Sequence, residues 1–339
     1  MPSPSYRNRI ATTPSTAGMA GTLILEEDVH TEILEVVDTP LSPGALLLPL
    51  PDVLEHGDDE PFRYCLNTST LRGHALSLPE LVDIAAAAGY EAIEPWVDEI
   101  DRFVAEGGDL RDLAARIRDL GLTVEGGIAN FEWIVDDPVR RAKGLEEARR
   151  AMGLLSRLGS KRLGAPPYGA HEPQSSPLDL NAAAERYRDL LAIGEKLNVI
   201  PQLEFWGFSA NLSRLCEAAL IVIDSGHPDA AILADVYHMR KGGSPYSGLR
   251  MLGPDALRLF HVNDFPALPR EALTDADRVY PGDGIAPLRP LFRDLREIGF
   301  TGVLSLELFN PEYYQQDPRS VARTGLEKLR EVVQQTFEL

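Results

Sequence analysis

From Phe62 onward, short apolar runs alternate with longer segments whose apolar residues recur every three or four positions. Runs of this length bounded by turn residues read as strands, and the segments between them read as amphipathic helices. The runs fall at 62–68, 90–96, 123–129, 161–167, 200–205, 231–236, 258–263 and 303–308. Strands separated by helical crossovers pair in parallel. Eight such units predict an α/β fold, a single (β/α)8 TIM barrel. A doubly wound open sheet would call for a glycine-rich phosphate turn after the first strand, and none is present. The helices carry their own stop signals. Leu288, Leu291, Phe292, Leu295 and Ile298 recur at helical spacing before Gly299, and the segment 77–88 ends at Gly89.

Residues 1–61 lack this rhythm. They are rich in Ser, Thr and Pro from Pro2 to Thr16, β-prone around Ile33–Val37 and acidic from Glu55 to Glu60. Such composition buries too little apolar surface to fold alone, which predicts an N-terminal extension, partly disordered or packed on the barrel (62–339) or on a partner subunit. The 339 residues then accommodate one barrel of about 250 residues and this appendage.

Charge and composition narrow the function. With 52 Asp+Glu against 33 Lys+Arg, the formal charge of -19 opposes a phosphate backbone, so nucleic-acid binding is not expected. No run approaches the roughly 18 apolar residues of a membrane-spanning helix. The first residues lack the apolar stretch of a secretory signal, and the two cysteines, Cys65 and Cys216, have no paired metal or redox spacing. A cytoplasmic protein with two buried thiols is expected, acting on a small molecule and assembling as a homo-oligomer.

Polar residues interrupt the last four strands, each towards the C-terminal end. In IPQLEF, Glu204 shares a face with Gln202, and in VLSLEL, Glu307 shares one with Ser305 and Val303. Asp235 closes AILAD, and His261 lies in LFHVN. In a barrel, the strand face opposite the helices looks into the lumen, and C-terminal strand ends build the active site. Carboxylates crowded there repel one another unless a cation intervenes. Three carboxylates and one imidazole suit a single divalent ion, Mn²⁺, Mg²⁺, Co²⁺ or Zn²⁺. Taken singly, each residue has an ordinary explanation: an arginine-paired carboxylate for Glu204 and Glu307, a helix cap for Asp235, a core histidine for His261. His238, just beyond a strand in DVYH, is placed to reach a substrate oxygen, and Arg278 precedes the turn YPGDG. Trp96, Trp133, Trp206 and Phe208 are candidate walls for the apolar faces of a sugar.

LTDADRVYPGDG, LREIGFTGVLSLELFNPEYY, YCLNTST and GYEAIEP together resemble the xylose isomerase-like barrel superfamily of sugar isomerases and epimerases, in particular the inosose (2-keto-myo-inositol) isomerases. The resemblance spans roughly Tyr64 to the C-terminus. It implies that Glu204, Asp235, His261 and Glu307 hold the metal, that Glu204 and Glu307 also serve as the acid/base pair, and that His238 and Arg278 meet the substrate, beside the candidate walls Trp206 and Trp96. The activity implied is isomerisation or epimerisation of a keto-cyclitol or ketose by proton abstraction next to a carbonyl, through a metal-stabilised enediolate. A ketose 3-epimerase or a 3-keto-glycoside-processing enzyme would use the same site. A non-catalytic sugar-binding barrel is the reading of another class, and an endonuclease of this superfamily would call for a basic surface. HVNDF and the long N-terminal segment depart from the family's compact members.

Overall fold

The computed structural model describes residues 60–338. The expected N-terminal extension, with its β-prone stretch, lies outside the described residues apart from positions 60 and 61. Among the described residues, eight parallel strands form one sheet: β1 (Arg63–Asn67), β2 (Ala92–Glu94), β3 (Thr123–Val124), β4 (Arg162–Ala165), β5 (Ile200–Glu204), β6 (Ala231–Asp235), β7 (Leu257–Val262) and β8 (Val303–Leu306). They are hydrogen-bonded in the order β3-β2-β1-β8-β7-β6-β5-β4, and each predicted run falls on one of them. The helices are α1 (Leu78–Ala88), α2 (Val97–Ala105), α3 (Leu110–Asp119), α4 (Pro138–Arg157), α5 (Leu180–Leu197), α6 (Leu215–Ser225), α7 (Val236–Gly242), α8 (Leu288–Glu297) and α9 (Pro318–Phe337). No helix among the described residues is long and apolar enough to cross a membrane.

Local sequence accounts for the boundaries. The Ser77 N–H donates to Glu80 Oε2 at 2.8 Å ahead of α1, one half of a capping box. Gly89 closes α1 at φ 92°, a left-handed conformation that glycine adopts without steric cost. In α6 the buried positions are Leu215, Ala218, Ile221 and Ser225. Cys216 lies off that stripe and is exposed, contrary to the expectation of two buried thiols; Cys65 is buried.

Strand alternation sorts the core into two layers. Tyr64, Leu66, Ile93, Leu203, Ile232, Phe260 and Leu304 belong to the large cluster between sheet and helices. Residues of the opposite parity fill the lumen: Cys65 packs with Ala92 and Val303, and Leu233 and Leu259 pack with Ile128 and partly buried Trp96. One step further along the same face come Asn67, Glu94, Glu204, Asp235, His261 and Glu307, all buried. The lumen is thus apolar below and polar at its C-terminal end, as expected of an α/β barrel whose chemistry sits there.

The first and last strands in the sheet order, β3 and β4, meet without a ladder. Gly164 N–H donates to the Gly127 carbonyl at 2.9 Å. The chain after β3 is a glycine pair in close quarters: a Cβ on Gly126 would lie 2.7 Å from Glu94 Oε1, and one on Gly127 would run into the Leu155 side chain. Glu125 fastens this seam from below. Arg63 Nη1 donates to its Oε1 at 2.7 Å, Arg162 Nη1 to its Oε2 at 2.7 Å and to its carbonyl at 3.2 Å. Burial works to raise the Glu125 carboxyl, but the two guanidinium groups outweigh it and hold it below the usual carboxylate range.

Because its folded pKa is depressed, Glu125 contributes stability above the unfolded carboxylate pKa of about 4.3, and that contribution is lost as pH falls through the folded value. Glu125→Gln is expected to cost about 1–3 kcal/mol at pH 7, read as a lower urea midpoint, with the gap to wild type closing below about pH 4. A gap that stays constant down to pH 3 would refute the ion-pair account of the seam.

Candidate metal and active site

Three polar strand ends meet. Asp235 closes β6, His261 lies near the end of β7, and Glu307 follows β8, where its N–H continues the ladder to the Val262 carbonyl at 3.1 Å. One potential ligand atom from each lies within 4.8 Å of the others, and all three side chains are buried. Asp235 also caps α7, but with its other oxygen: Oδ1 accepts the His238 N–H at 2.7 Å, while Oδ2 accepts from Asn263 Nδ2 at 2.9 Å. The capping role and the cluster therefore coexist on one side chain.

Arg278 supplies the permanent positive charge. It is 1% exposed, and its Nη1 donates to Asp235 Oδ2 at 2.9 Å and to Glu307 Oε2 at 2.8 Å. Asp275 Oδ1 accepts from Nη2 at 2.7 Å. The guanidinium plane lies over Tyr237, 4.5 Å from the ring centroid, and over Phe309 at 5.1 Å, contacts that favour a cation there. Burial pushes the Glu307 carboxyl up, but His261 and Arg278 together hold it well below the usual range. Burial dominates at Asp235, raised to about 6 despite Arg278.

The His261 ring tests whether the site suits a metal. Its Nε2 lies 3.0 Å from Glu94 Oε2, an oxygen that also accepts from Asn67 Nδ2 and Ser305 Oγ, so Nε2 is the donor. Nδ1 is buried without a hydrogen-bond partner, 3.2 Å from Glu307 Oε2 and 4.0 Å from Asp235 Oδ2. A lone pair facing carboxylate oxygens at that range is unfavourable unless a proton or a cation lies between them. Burial lowers the imidazole pKa, but Glu307 and Glu94 raise it well above its ordinary value. One imidazole nitrogen and carboxylate oxygens, with the second nitrogen anchored to a carboxylate, form a donor set that fits a divalent ion.

Glu204 is not brought into that 4.8 Å group. It is buried at the end of β5, and burial, with Glu307 and Asp235 adding to it, raises its carboxyl to about 8 against the opposing effect of His261. His238 is buried beside Arg278, with 3.4 Å between Nε2 and Nη2. Burial, then the charge of Arg278, holds its pKa well below the ordinary value, so the ring is neutral. Both ring nitrogens face donors: Gly207 N–H donates to Nδ1 at 3.2 Å, and Arg278 Nη2 lies on the Nε2 side.

Aromatic rings flank these groups on two sides. Trp206 stacks on Phe208 at 5.4 Å, and Phe208 meets His238 at 5.6 Å. On the other side Trp96 meets Phe309 edge-on at 6.2 Å. Trp133 does not join them. It is fully buried against Tyr187 of α5, with its indole N–H on the Pro166 carbonyl at 2.7 Å. Several residues of the site that were not singled out carry no signal in the sequence, among them Asn263, Asp275 and Phe309. Glu94 and Asn67 are the exceptions in kind, since both are polar residues at strand ends, like the four singled out above.

The xylose isomerase-like TIM barrel family matches residues 82–332. An inosose isomerase of Bacillus velezensis is 26% identical over 277 residues, covering 81% of this chain and 98% of its own length. A fructoselysine 3-epimerase of Escherichia coli O157:H7 is 25% identical over 264 residues, 73% of this chain and 90% of its own. Among solved structures, the IOLI protein with a bound zinc atom is similar at a TM-score of 0.75 and 25% identity, over 82% of this chain and 100% of that one.

The loop that delivers Arg278 hangs on Asp264. The backbones of Asp264 and Val279 exchange hydrogen bonds of 3.0 and 2.9 Å. The Asp264 carboxylate accepts from the N–H groups of Phe265 at 2.8 Å, Gly282 at 3.0 Å, Gly284 at 3.1 Å and Ala286 at 2.7 Å. A Cβ on Gly284 would collide with that carboxylate and with the Phe265 carbonyl. Asp264→Ala strands these donors and is expected to destabilise the protein by about 1–3 kcal/mol, seen as a lower urea midpoint. An unchanged midpoint would show that the loop is held by something else.

Proposed function

We propose that this chain, which belongs to the xylose isomerase-like TIM barrel family, is a divalent-metal-dependent isomerase or epimerase of a keto-cyclitol or ketose, acting in the manner of an inosose isomerase. The observation that carries the reading is the meeting of Asp235, His261 and Glu307 within 4.8 Å, with the His261 Nδ1 unpartnered. Asp235, His261 and Glu307 would hold the ion, with Glu204 as the further carboxylate donor. The likeness to an inosose isomerase and to a zinc-bound structure supports the same assignment.

When bound, a divalent ion supplies Lewis-acid stabilisation of negative charge on substrate oxygens. The chain's own groups do the rest. One glutamate removes the proton on the carbon next to the carbonyl, and the electron pair moves onto the carbonyl oxygen to give an enediolate. The same glutamate or its counterpart returns a proton. Delivery to the former carbonyl carbon, with the proton of the neighbouring hydroxyl passing to the former carbonyl oxygen, moves the carbonyl along the chain or ring, whereas delivery to the opposite face of the original carbon inverts that centre. His238 and Arg278 contact substrate oxygens. Trp96, Trp206, Phe208 and Phe309 offer flat apolar surface to the C–H faces of the ring and keep water from the reacting carbon.

A 3-epimerase is the second reading, favoured by the likeness to the fructoselysine enzyme and by the entry of Glu204 and Glu307 from β5 and β8, with β6 and β7 between them. Carboxylates on two sides of a substrate suit removal of a proton from one face and return to the other. Product identification across inososes and ketoses separates the two readings.

In deuterated water with an inosose as substrate, product carrying deuterium at the exchanged carbon is expected; unlabelled product would count against a solvent-exchangeable shuttle. Glu307→Gln is expected to lower kcat by about 10²-fold or more. Full activity in that variant would end the assignment of Glu307 to proton transfer.

A further inference from the structure

Glu94 ends β2, faces the lumen and is 1% exposed. Three donors from three other strands converge on its Oε2: Asn67 Nδ2 of β1 at 2.9 Å, Ser305 Oγ of β8 at 2.8 Å and His261 Nε2 of β7 at 3.0 Å. The backbone makes room for it, because Gly126 lacks the Cβ that would lie 2.7 Å from Oε1. A buried carboxylate held by so many partners has one orientation, and so does the imidazole bonded to it. The Asn67 amide also reaches Glu307 Oε1 at 3.3 Å, so the same network touches a second member of the cluster.

We infer that Glu94 is a positioning residue of the metal centre: its hydrogen bond to His261 Nε2 fixes the ring so that the other nitrogen, Nδ1, is the one turned towards Asp235 and Glu307. The inference rests on the proposed metal-dependent function. Glu94 touches neither substrate nor ion in this role. It acts by fixing which nitrogen is free to bind a metal and where that nitrogen points, as outer carboxylates do for histidine ligands generally. The opposite tautomer would place a proton on Nδ1, where the ligating lone pair belongs. Glu94→Gln preserves the side-chain shape and supplies an NH₂ that can donate to Nε2, which favours that unproductive tautomer.

The test is titration of chelator-stripped wild type and Glu94→Gln with Co²⁺ alone, followed by competition with a chromophoric chelator and by the visible spectrum of the bound ion. Wild type is expected to take up one Co²⁺, and the variant to bind on the order of 10–100-fold more weakly, with an altered Co²⁺ spectrum. Equal affinity and identical spectra would overturn the inference while leaving the proposed function standing. Wild type that binds no Co²⁺ would overturn the proposed function, and the inference with it. Should Glu94→Gln not fold, the long-range ¹⁵N–¹H spectrum of Zn²⁺-loaded wild type decides: a His261 ring protonated on Nε2 upholds the inference, and a ring protonated only on Nδ1 overturns it.

Discussion

Glu204, Asp235 and Glu307 are buried at the C-terminal end of the strands, and Arg278 is the one arginine buried among the described residues. Carboxylates removed from water in such proximity repel one another, and burial alone favours their protonated forms. The pocket has three ways to relieve this: the guanidinium of Arg278, a proton on His261, and the raised carboxyls of Glu204 and Asp235. Each answers part of the charge imbalance. A divalent ion among Asp235, His261 and Glu307 would take the place of the proton between His261 Nδ1 and Glu307 Oε2, 3.2 Å apart.

The barrel is arranged around that requirement. Apolar lumen residues below, among them Cys65, Ala92, Leu233, Leu259 and Val303, deprive the acidic groups of water from that side. Adjacent parallel strands hold neighbouring groups in register, as where Asp235 pairs with His261 and His261 with Ser305. The β3–β4 seam, closed by Gly164 and Gly127, admits Glu94 beside Gly126. Arg278 arrives from a loop rather than a strand, and Asp264 holds that loop through backbone N–H groups. The rigid sheet thus carries the acidic groups, and the loop brings the cation to them.

Much of this was legible in the residues themselves. Strand length, helix periodicity and glycine stops at Gly89 and Gly299 located the barrel because they are local effects. Alternation assigned Glu204 and Glu307 to the lumen face for the same reason. The same rule applies to Glu94, which follows Ala92 on the lumen face of a three-residue strand, but so short a strand offers little alternation to read. Asn67 is hidden by the turn that begins at Thr68. The pairings of Arg278 with Asp235 and Glu307 join residues 43 and 29 positions apart, and no spacing rule predicts them. Trp133 looks like Trp96 in sequence, and only packing against Tyr187 distinguishes a core tryptophan from a pocket wall.

Anomalous scattering from a crystal of Co²⁺-loaded protein addresses the central claim most directly. The account predicts one strong peak bounded by the carboxylates of Asp235 and Glu307 and by Nδ1 of His261. A pocket with no peak there, and with Arg278 alone still bridging Asp235 and Glu307, would contradict it.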